Sequence, residues 1–365
     1  MASIPWIKPI IDDEMKKACL NALENEKLVM GESVFKFEEE FAKYCGVSHA
    51  VSISSGTDAL ILTLEALGIS GKKVLTTPAS FVATANSILY AGGTPVFADC
   101  SMEDYALSPA EAAGKISGAS AILPVDLYGM PARLDELSEM AAKHEIPLVE
   151  DACQAHGATF KGIKTGAWGT AGCFSFYTTK NLTVAGDGGM VTTNDEALAK
   201  KIAKMRDCGR KSQYEHDMLG RTARLNTINA AIGRVQLKKL DGWNESRRKG
   251  AQKYCELLKG IKGVKLPSLE TPDAKPVHHL FPILVDKRNE MKEYLKQQGI
   301  GTGNNYPIPI HLQPLYVEKF EFKRGDFPNA EKLCDSVLCL PMFVGITDEE
   351  IATVCEEIKK FLEKA

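Results

Sequence analysis

Between residues 49 and 193 the sequence alternates between short β-rich apolar runs and helical patterns, and few folds accommodate that rhythm. Strand-like runs fall at 49–53, 73–77, 94–98, 120–124 and 147–150, with helical periodicity between them at about 57–67, 80–91, 108–116 and 133–144. The alternation predicts a mostly parallel sheet with helices on both faces. Runs at 171–176 and 188–193 extend it to seven strands. Ahead of the sheet, residues 12–45 read as two amphipathic helices, the second carrying Phe35, Phe37, Phe41 and Tyr44. Behind it, a long helical pattern at 226–258 leads into a less regular segment. That segment has a strand around 279–285, a helix at 287–298, a Pro-rich irregular stretch, and helices near 328–337 and 347–363. The reading is an α/β chain in two units. Residues 1–240 hold the N-terminal helices and a large domain; residues 241–365 hold the connecting helix and a smaller C-terminal α/β domain.

Composition narrows the function classes. A net charge of −3 gives no reason to expect nucleic acid or an anionic membrane as a partner. No apolar run approaches the roughly 18 residues that span a bilayer. The opening Met1-Ala-Ser-Ile-Pro-Trp-Ile-Lys8 lacks a basic-then-apolar signal pattern, so a cytoplasmic protein is expected. The ten cysteines are dispersed without a C-x-x-C pair, which reads as buried free thiols in a reducing compartment. His278-His279 lacks nearby partners, so no metal site is expected.

Open parallel sheets bind ligands beyond the carboxyl ends of their strands, and three segments there carry chemistry. Ser54-Ser55-Gly56-Thr57-Asp58 runs straight into a helix, offering free N–H groups and a positive dipole end to a phosphate. The same residues also serve as a plain helix cap. The strand at 147–150 ends in Glu150-Asp151-Ala152-Cys153-Gln154. A carboxylate buried there needs a cation beside it, and a protonated pyridine ring would be one; helix capping or Mg²⁺ binding are the alternatives. Finally, Lys180 follows the run Cys173–Phe176 in a loop of small and hydroxyl residues, where desolvation would expose a nucleophilic amine. A solvated loop lysine is the bland alternative. No dinucleotide-binding glycine fingerprint follows the first strand.

Together these segments, with Pro78–Asn86, Leu127-Tyr-Gly129, Glu150–Gly157, Phe174–Leu182, Gly186-Asp-Gly-Gly189 and Tyr306–Pro314, resemble nearly end to end the DegT/DnrJ/EryC1/StrS family of sugar aminotransferases. The resemblance implies the fold-type-I architecture of enzymes dependent on pyridoxal phosphate (PLP). It implies that Gly56, Thr57 and Ser175 hold the cofactor phosphate, Phe81 stacks on its ring, Asp151 pairs the ring nitrogen and Gln154 supports the ring hydroxyl. Lys180 would be the Schiff-base lysine. The implied assembly is a homodimer with shared active sites. Two departures stand out. The family's Gly-x-Asn-x-Arg motif reads Gly220-Arg221-Thr222-Ala-Arg224, so Thr222 or Arg221 must reach the neighbour's phosphate instead. The substrate loop, frequently His-Tyr-Pro, reads Asn305-Tyr306-Pro307, with His311 further along.

The implied reaction is a ping-pong transfer from an amino-acid donor, usually glutamate, to a nucleotide-linked keto sugar. The run from Tyr306 to Pro314 looks closer to members acting on 3-keto than on 4-keto sugars. Lys204, Arg206, Arg210 and Lys211 are candidate cations for the diphosphate. Family members with His in place of the lysine dehydrate sugars, which Lys180 argues against. Two rivals remain: an amino-acid-directed PLP enzyme such as a desulfurase or aldolase, and a non-catalytic PLP-binding regulator. The first would favour arginine clamps for carboxylates, yet residues 250–365 hold only Arg288 and Arg324.

Overall fold

A computed structural model describes residues 3–268 and 273–364; Met1 and Ala2 of the opening segment lie outside it. Strand Gly189–Thr193 sits between His49–Ile53 and Ala171–Ser175, antiparallel to both. Ala171–Ser175 then pairs in parallel with Val149–Asp151. A second group places Lys73–Thr76 between Thr94–Phe97 and Ala119–Leu123, all parallel. Parallel bridges Ile122 to Leu148 and Val125 to Asp151 join the two groups into one seven-stranded surface. The strands expected from alternation are therefore present, and one of them runs against the rest. That reversal makes the chain from Ser175 to Gly189 a hairpin, closed by a paired residue at each end.

The sheet strands are buried along most of their length because helices cover both faces. Helix Gly56–Ala66 is apolar on nearly every side and packs into the core with Val51, Val149 and Val191. On the other face, helix Glu32–Cys45 inserts Phe37 and Phe41 against Phe174 and Phe176, with ring centroids 5.0 to 5.5 Å apart. Phe35, two residues before Phe37, falls on the opposite side and is 52% exposed.

Helix Thr227–Leu258 runs without a break past residue 240, packing on Asp13–Asn25 and Glu32–Cys45 at one end and on Asp348–Lys364 at the other. Its buried polar residues tie distant segments together. Gln236 accepts from Thr183 N–H at 3.0 Å, and Asn244 accepts from Asn181 Nδ2 at 3.0 Å while donating to the His156 carbonyl at 2.8 Å. The helix thus braces the loop just beyond Lys180. The C-terminal segment forms an antiparallel sheet of Val264–Lys265, Phe281–Val285 and Val337–Leu340 with its own apolar cluster.

Several elements differ from the sequence reading. Helix Glu196–Met205 and the small hairpin Thr159–Phe160 with Ile163–Lys164 are additional. The Pro-rich stretch holds a short helix, Pro314–Phe320, entered through Pro314 at its first turn. Val337–Leu340 is a strand where the pattern suggested a helix end. Among the described residues no helix is long and apolar enough to cross a membrane, and all ten cysteines are free.

Candidate active site

A cavity of about 570 Å³ opens where the parallel strands end, lined by Ser55, Ser80, Val125, Asp151 and Ser175, each at or just beyond a strand's carboxyl end. Its floor begins at the cap of helix Gly56–Ala66. The Ser55 hydroxyl accepts from Asp58 N–H at 3.0 Å and the Ser55 carbonyl from Ala59 N–H, which leaves the Gly56 and Thr57 N–H groups without a backbone acceptor among the described residues. Gly56 is required there by crowding. A β-carbon on it would lie 2.7 Å from Ser175 Cβ and 2.9 Å from Cys153 Sγ. Gly189 is similarly pressed, since its β-carbon would lie 2.4 Å from the Ser55 carbonyl oxygen. Close backbone approach, not turn geometry, selects both glycines.

Asp151 forms one wall and is only 5% exposed. Its Oδ2 accepts from the Thr84 hydroxyl at 2.7 Å, and its Oδ1 has a longer contact with Cys153 N–H at 3.3 Å. Gln154 is also held: its Oε1 accepts from Tyr128 N–H at 2.8 Å, and its Nε2 donates to the Tyr306 hydroxyl at 3.1 Å. Lys180 is half-buried, and among the described residues its Nζ has no hydrogen-bond or ion-pair partner. Desolvation lowers its pKa, partly offset by Cys153 and Asp151 nearby, which shifts the amine toward its nucleophilic form. His279 stands close to it. Asn181 Nδ2 already donates to Asn244 and to the Val277 carbonyl, so Asn181 Oδ1 accepts from His279 Nδ1–H, at 3.3 Å. Burial, then Lys180, keeps the imidazole neutral.

The mouth is aromatic. Phe81 is 51% exposed, with its ring 5.5 Å from that of Tyr306. Tyr177, Asp187, Trp6, Ile7 and Asn305 complete the rim. The wall holding Asn305 and Tyr306 is fixed from two sides. Tyr128 donates its hydroxyl to the Asn305 carbonyl, and the N-terminal arm pairs with residues 299–301 through Ile4. Gly303 lets Trp6 pack close; a β-carbon there would lie 2.3 Å from Trp6 Cζ2.

A phosphate-sized cup of free N–H groups, a buried carboxylate and an unpartnered amine now share one cavity. The chain matches the model of the DegT/DnrJ/EryC1/StrS aminotransferase family over residues 9–359. It belongs to that family. It is 38% identical over 360 residues to a pleiotropic regulatory protein of Geobacillus stearothermophilus, covering 98% of this chain and 94% of the other. It is 36% identical over 353 residues to the dTDP-3-amino-3,4,6-trideoxy-alpha-D-glucose transaminase of Streptomyces venezuelae, covering 96% and 93%. Among solved structures, that of S. venezuelae DesV in complex with a ketimine intermediate superposes with a TM-score of 0.94 at 35% identity, covering 99% of this chain and all of the other.

The protein is a PLP-dependent aminotransferase of this family with the fold-type-I architecture. Its cavity fits that cofactor on structural grounds: the glycine-lined cup matches a phosphate, the exposed Phe81 face a flat ring, and the Lys180 amine an aldehyde.

Other residues singled out from the sequence lie outside this chain's cavity. His311 does not line the cavity. It is fully buried behind it, bonded through Nε2 to Glu331 Oε1 at 3.0 Å and packed edge-on against Phe327. An apolar environment, with one ring nitrogen already committed, withdraws it from substrate contact. The basic stretch is likewise engaged within its own chain. Arg206 ends helix Glu196–Met205 buried against Glu38 and Ser52, and Lys204 pairs with Asp217. Arg210 and Lys211 contact Asp207 and Glu215 at 3.6 Å. Thr222 also lies outside this chain's cavity, its hydroxyl 3.4 Å from Cys208 Sγ, and Arg221 pairs with Glu65. Among the described residues no arginine lines the cavity. Arg288 binds the Cys334 and Val337 carbonyls at 3.2 Å, and Arg324 pairs with Asp335 at 2.9 Å. No cluster of three or more His, Cys, Asp or Glu side chains is placed to hold a metal ion among the described residues.

Trp6, Ile7, Thr84, Tyr177, Asp187 and His279 line the cavity without having been assigned a role from sequence. Thr84 lies within a quoted motif and His279 within a noted pair; Trp6 and Ile7 had no pattern to mark them.

Proposed function

We propose that this chain transfers an amino group from an amino acid, glutamate in our reading, to the keto carbon of a nucleotide-linked sugar, with 3-keto acceptors favoured over 4-keto. The observation that carries the reading is the unpartnered Lys180 amine in the same cavity as Asp151 and the Gly56–Thr57 cup. In this scheme Gly56, Thr57 and Ser175 hold the cofactor phosphate, Phe81 covers its ring, Asp151 pairs its ring nitrogen, and Gln154 offers its remaining amide hydrogen to the ring hydroxyl. Bound PLP supplies an electron sink for the pair left on the donor's α-carbon. Lys180 Nζ, its pKa lowered by desolvation, takes the α-proton from the donor and later delivers a proton to the sugar carbon receiving nitrogen. Tyr306 and Asn305 bound the acceptor. Two points support a sugar acceptor over a second amino acid: among the described residues the cavity lining carries no arginine to clamp carboxylates, and the Streptomyces relative's name describes a 3-amino sugar.

Incubating the enzyme with glutamate and a panel of nucleotide-linked keto sugars should yield an amino sugar by mass spectrometry, with 3-keto acceptors turned over fastest. Turnover of 4-keto sugars alone would overturn the positional preference. The Geobacillus relative is named a pleiotropic regulatory protein; absence of product with every acceptor would favour a non-catalytic, regulatory reading.

A homodimer with shared sites is also proposed. The Gly220–Arg224 segment lies outside its own chain's cavity, and its resemblance to the family motif directs Arg221 or Thr222 to the neighbour's phosphate. An inactive Lys180→Ala chain mixed with an inactive chain altered at Arg221 and Thr222 should regain activity, because one pocket of the heterodimer receives both intact parts. No recovery, with subunit exchange verified by native mass spectrometry, would reject the shared site.

A further inference from the structure

The Asp151 carboxylate is held by more than its own strand. Ser80 and Thr84 stand four residues apart where the chain enters helix Ala83–Tyr90, so one turn brings their hydroxyls together. Ser80 Oγ lies 2.7 Å from Thr84 Oγ1, and Thr84 Oγ1 lies 2.7 Å from Asp151 Oδ2. All three residues line the cavity and are 1 to 5% exposed. An ionised carboxylate only accepts, and a threonine hydroxyl has one proton. Thr84 therefore donates to Asp151, and its oxygen accepts from Ser80. The chain of hydroxyls has one direction, ending on Oδ2.

This asymmetry separates the two carboxylate oxygens. Oδ2 has a short, buried hydroxyl donor, whereas the Cys153 N–H contact at Oδ1 is longer, at 3.3 Å. A carboxylate free to rotate about its last torsion would offer either oxygen in many orientations. Donation at Oδ2 fixes that torsion. The Ser87 hydroxyl, donating to the Thr84 carbonyl at 2.7 Å, in turn anchors the helix turn that carries Thr84.

We propose that Thr84, backed by Ser80, is a positioning residue that sets the orientation of Asp151 toward the ring nitrogen of the bound cofactor. The inference rests on the reading of Asp151 given above. The plainer role for such a threonine is to tie a helix start to a neighbouring strand, and the test separates the two.

The holoenzyme is compared with Thr84→Val, which keeps the shape and removes the hydroxyl, and with Thr84→Ser, which keeps the hydroxyl. For Thr84→Val we expect kcat to fall about tenfold, acceptor KM to stay within about twofold, and the pH midpoint of the bound cofactor's visible absorbance to move. Thr84→Ser should recover most of the turnover and restore the wild-type absorbance titration. In an Asp151→Asn background, Thr84→Val should add no further loss, since the group it orients no longer carries charge. Wild-type kcat and absorbance titration in Thr84→Val would overturn the proposal. So would equal losses in both Thr84 variants with lowered melting temperatures and an unmoved absorbance midpoint, the signature of a purely structural tie. Near-normal turnover of Asp151→Asn would instead remove the reading on which the proposal rests, so the two failures are distinguishable.

Discussion

Replacing Lys180 with alanine should abolish transamination, lowering turnover by roughly 10⁴-fold or more, at or beyond the upper end of what positioned acid–base groups contribute. The size of the effect follows from the cavity. Lys180 is the one lysine among the described residues lining it, and no neighbouring amine is placed to take over the proton transfer. Its loop position is fixed by a turn bond from its own N–H to the Tyr177 carbonyl at 2.8 Å. Asn181 and Thr183 tie the loop beyond it to the long helix. Borohydride trapping of the cofactor-loaded wild-type enzyme, followed by peptide mapping, should place the label on Lys180. A label on any other lysine would remove the assignment.

Asp151→Asn should still bind the cofactor while losing two or more orders of magnitude in kcat, about 3 kcal/mol of barrier. Asparagine keeps the size of the side chain and an oxygen for the Thr84 hydroxyl, so the fold around it has little reason to change. What disappears is a negative charge inside a buried wall, where the attraction to a cationic ring is screened far less than in water. Cofactor titration and steady-state kinetics on the same preparation separate the two effects. Near-normal turnover would mean that another group pairs the ring nitrogen.

Most of the scaffold was legible because alternation and burial obey short-range rules. A strand between two helix layers must be largely apolar, as Ala121-Ile122-Leu123 and Leu148-Val149 are. The antiparallel direction of Gly189–Thr193 was not legible, because an apolar run reads the same whichever way it points. Three cavity groups were legible at strand ends, namely the Gly56 cap, Asp151 and Lys180, since a sheet of this kind delivers its strand ends to one crevice. Residues whose role depends on packing between remote segments were not. The sequence of His311 suggested a substrate contact, but its ring is committed to Glu331 in the core. Arg206 read as a candidate cation for the diphosphate, yet Glu38, from a helix far earlier in the chain, draws it inside. Trp6 reaches the cavity only because Gly303 leaves room for it, a pairing across nearly the whole chain.

The hairpin that carries Lys180 and the wall that carries Asn305 and Tyr306 meet at one cavity but arise from separate sheets. The first is clamped at Ser175 and Gly189 inside the seven-stranded surface. The second hangs between Ile300 and Cys339, stitched to the N-terminal arm. Changes in residues 299–305 or around Trp6 can therefore reshape the entrance while the amine, the carboxylate and the phosphate cup keep their places, provided Tyr306, whose hydroxyl holds Gln154, is kept. For protein engineers this amounts to a socket with an exchangeable collar: transplanting the collar from a relative is the economical first step toward a new acceptor, and the reaction centre can be left untouched.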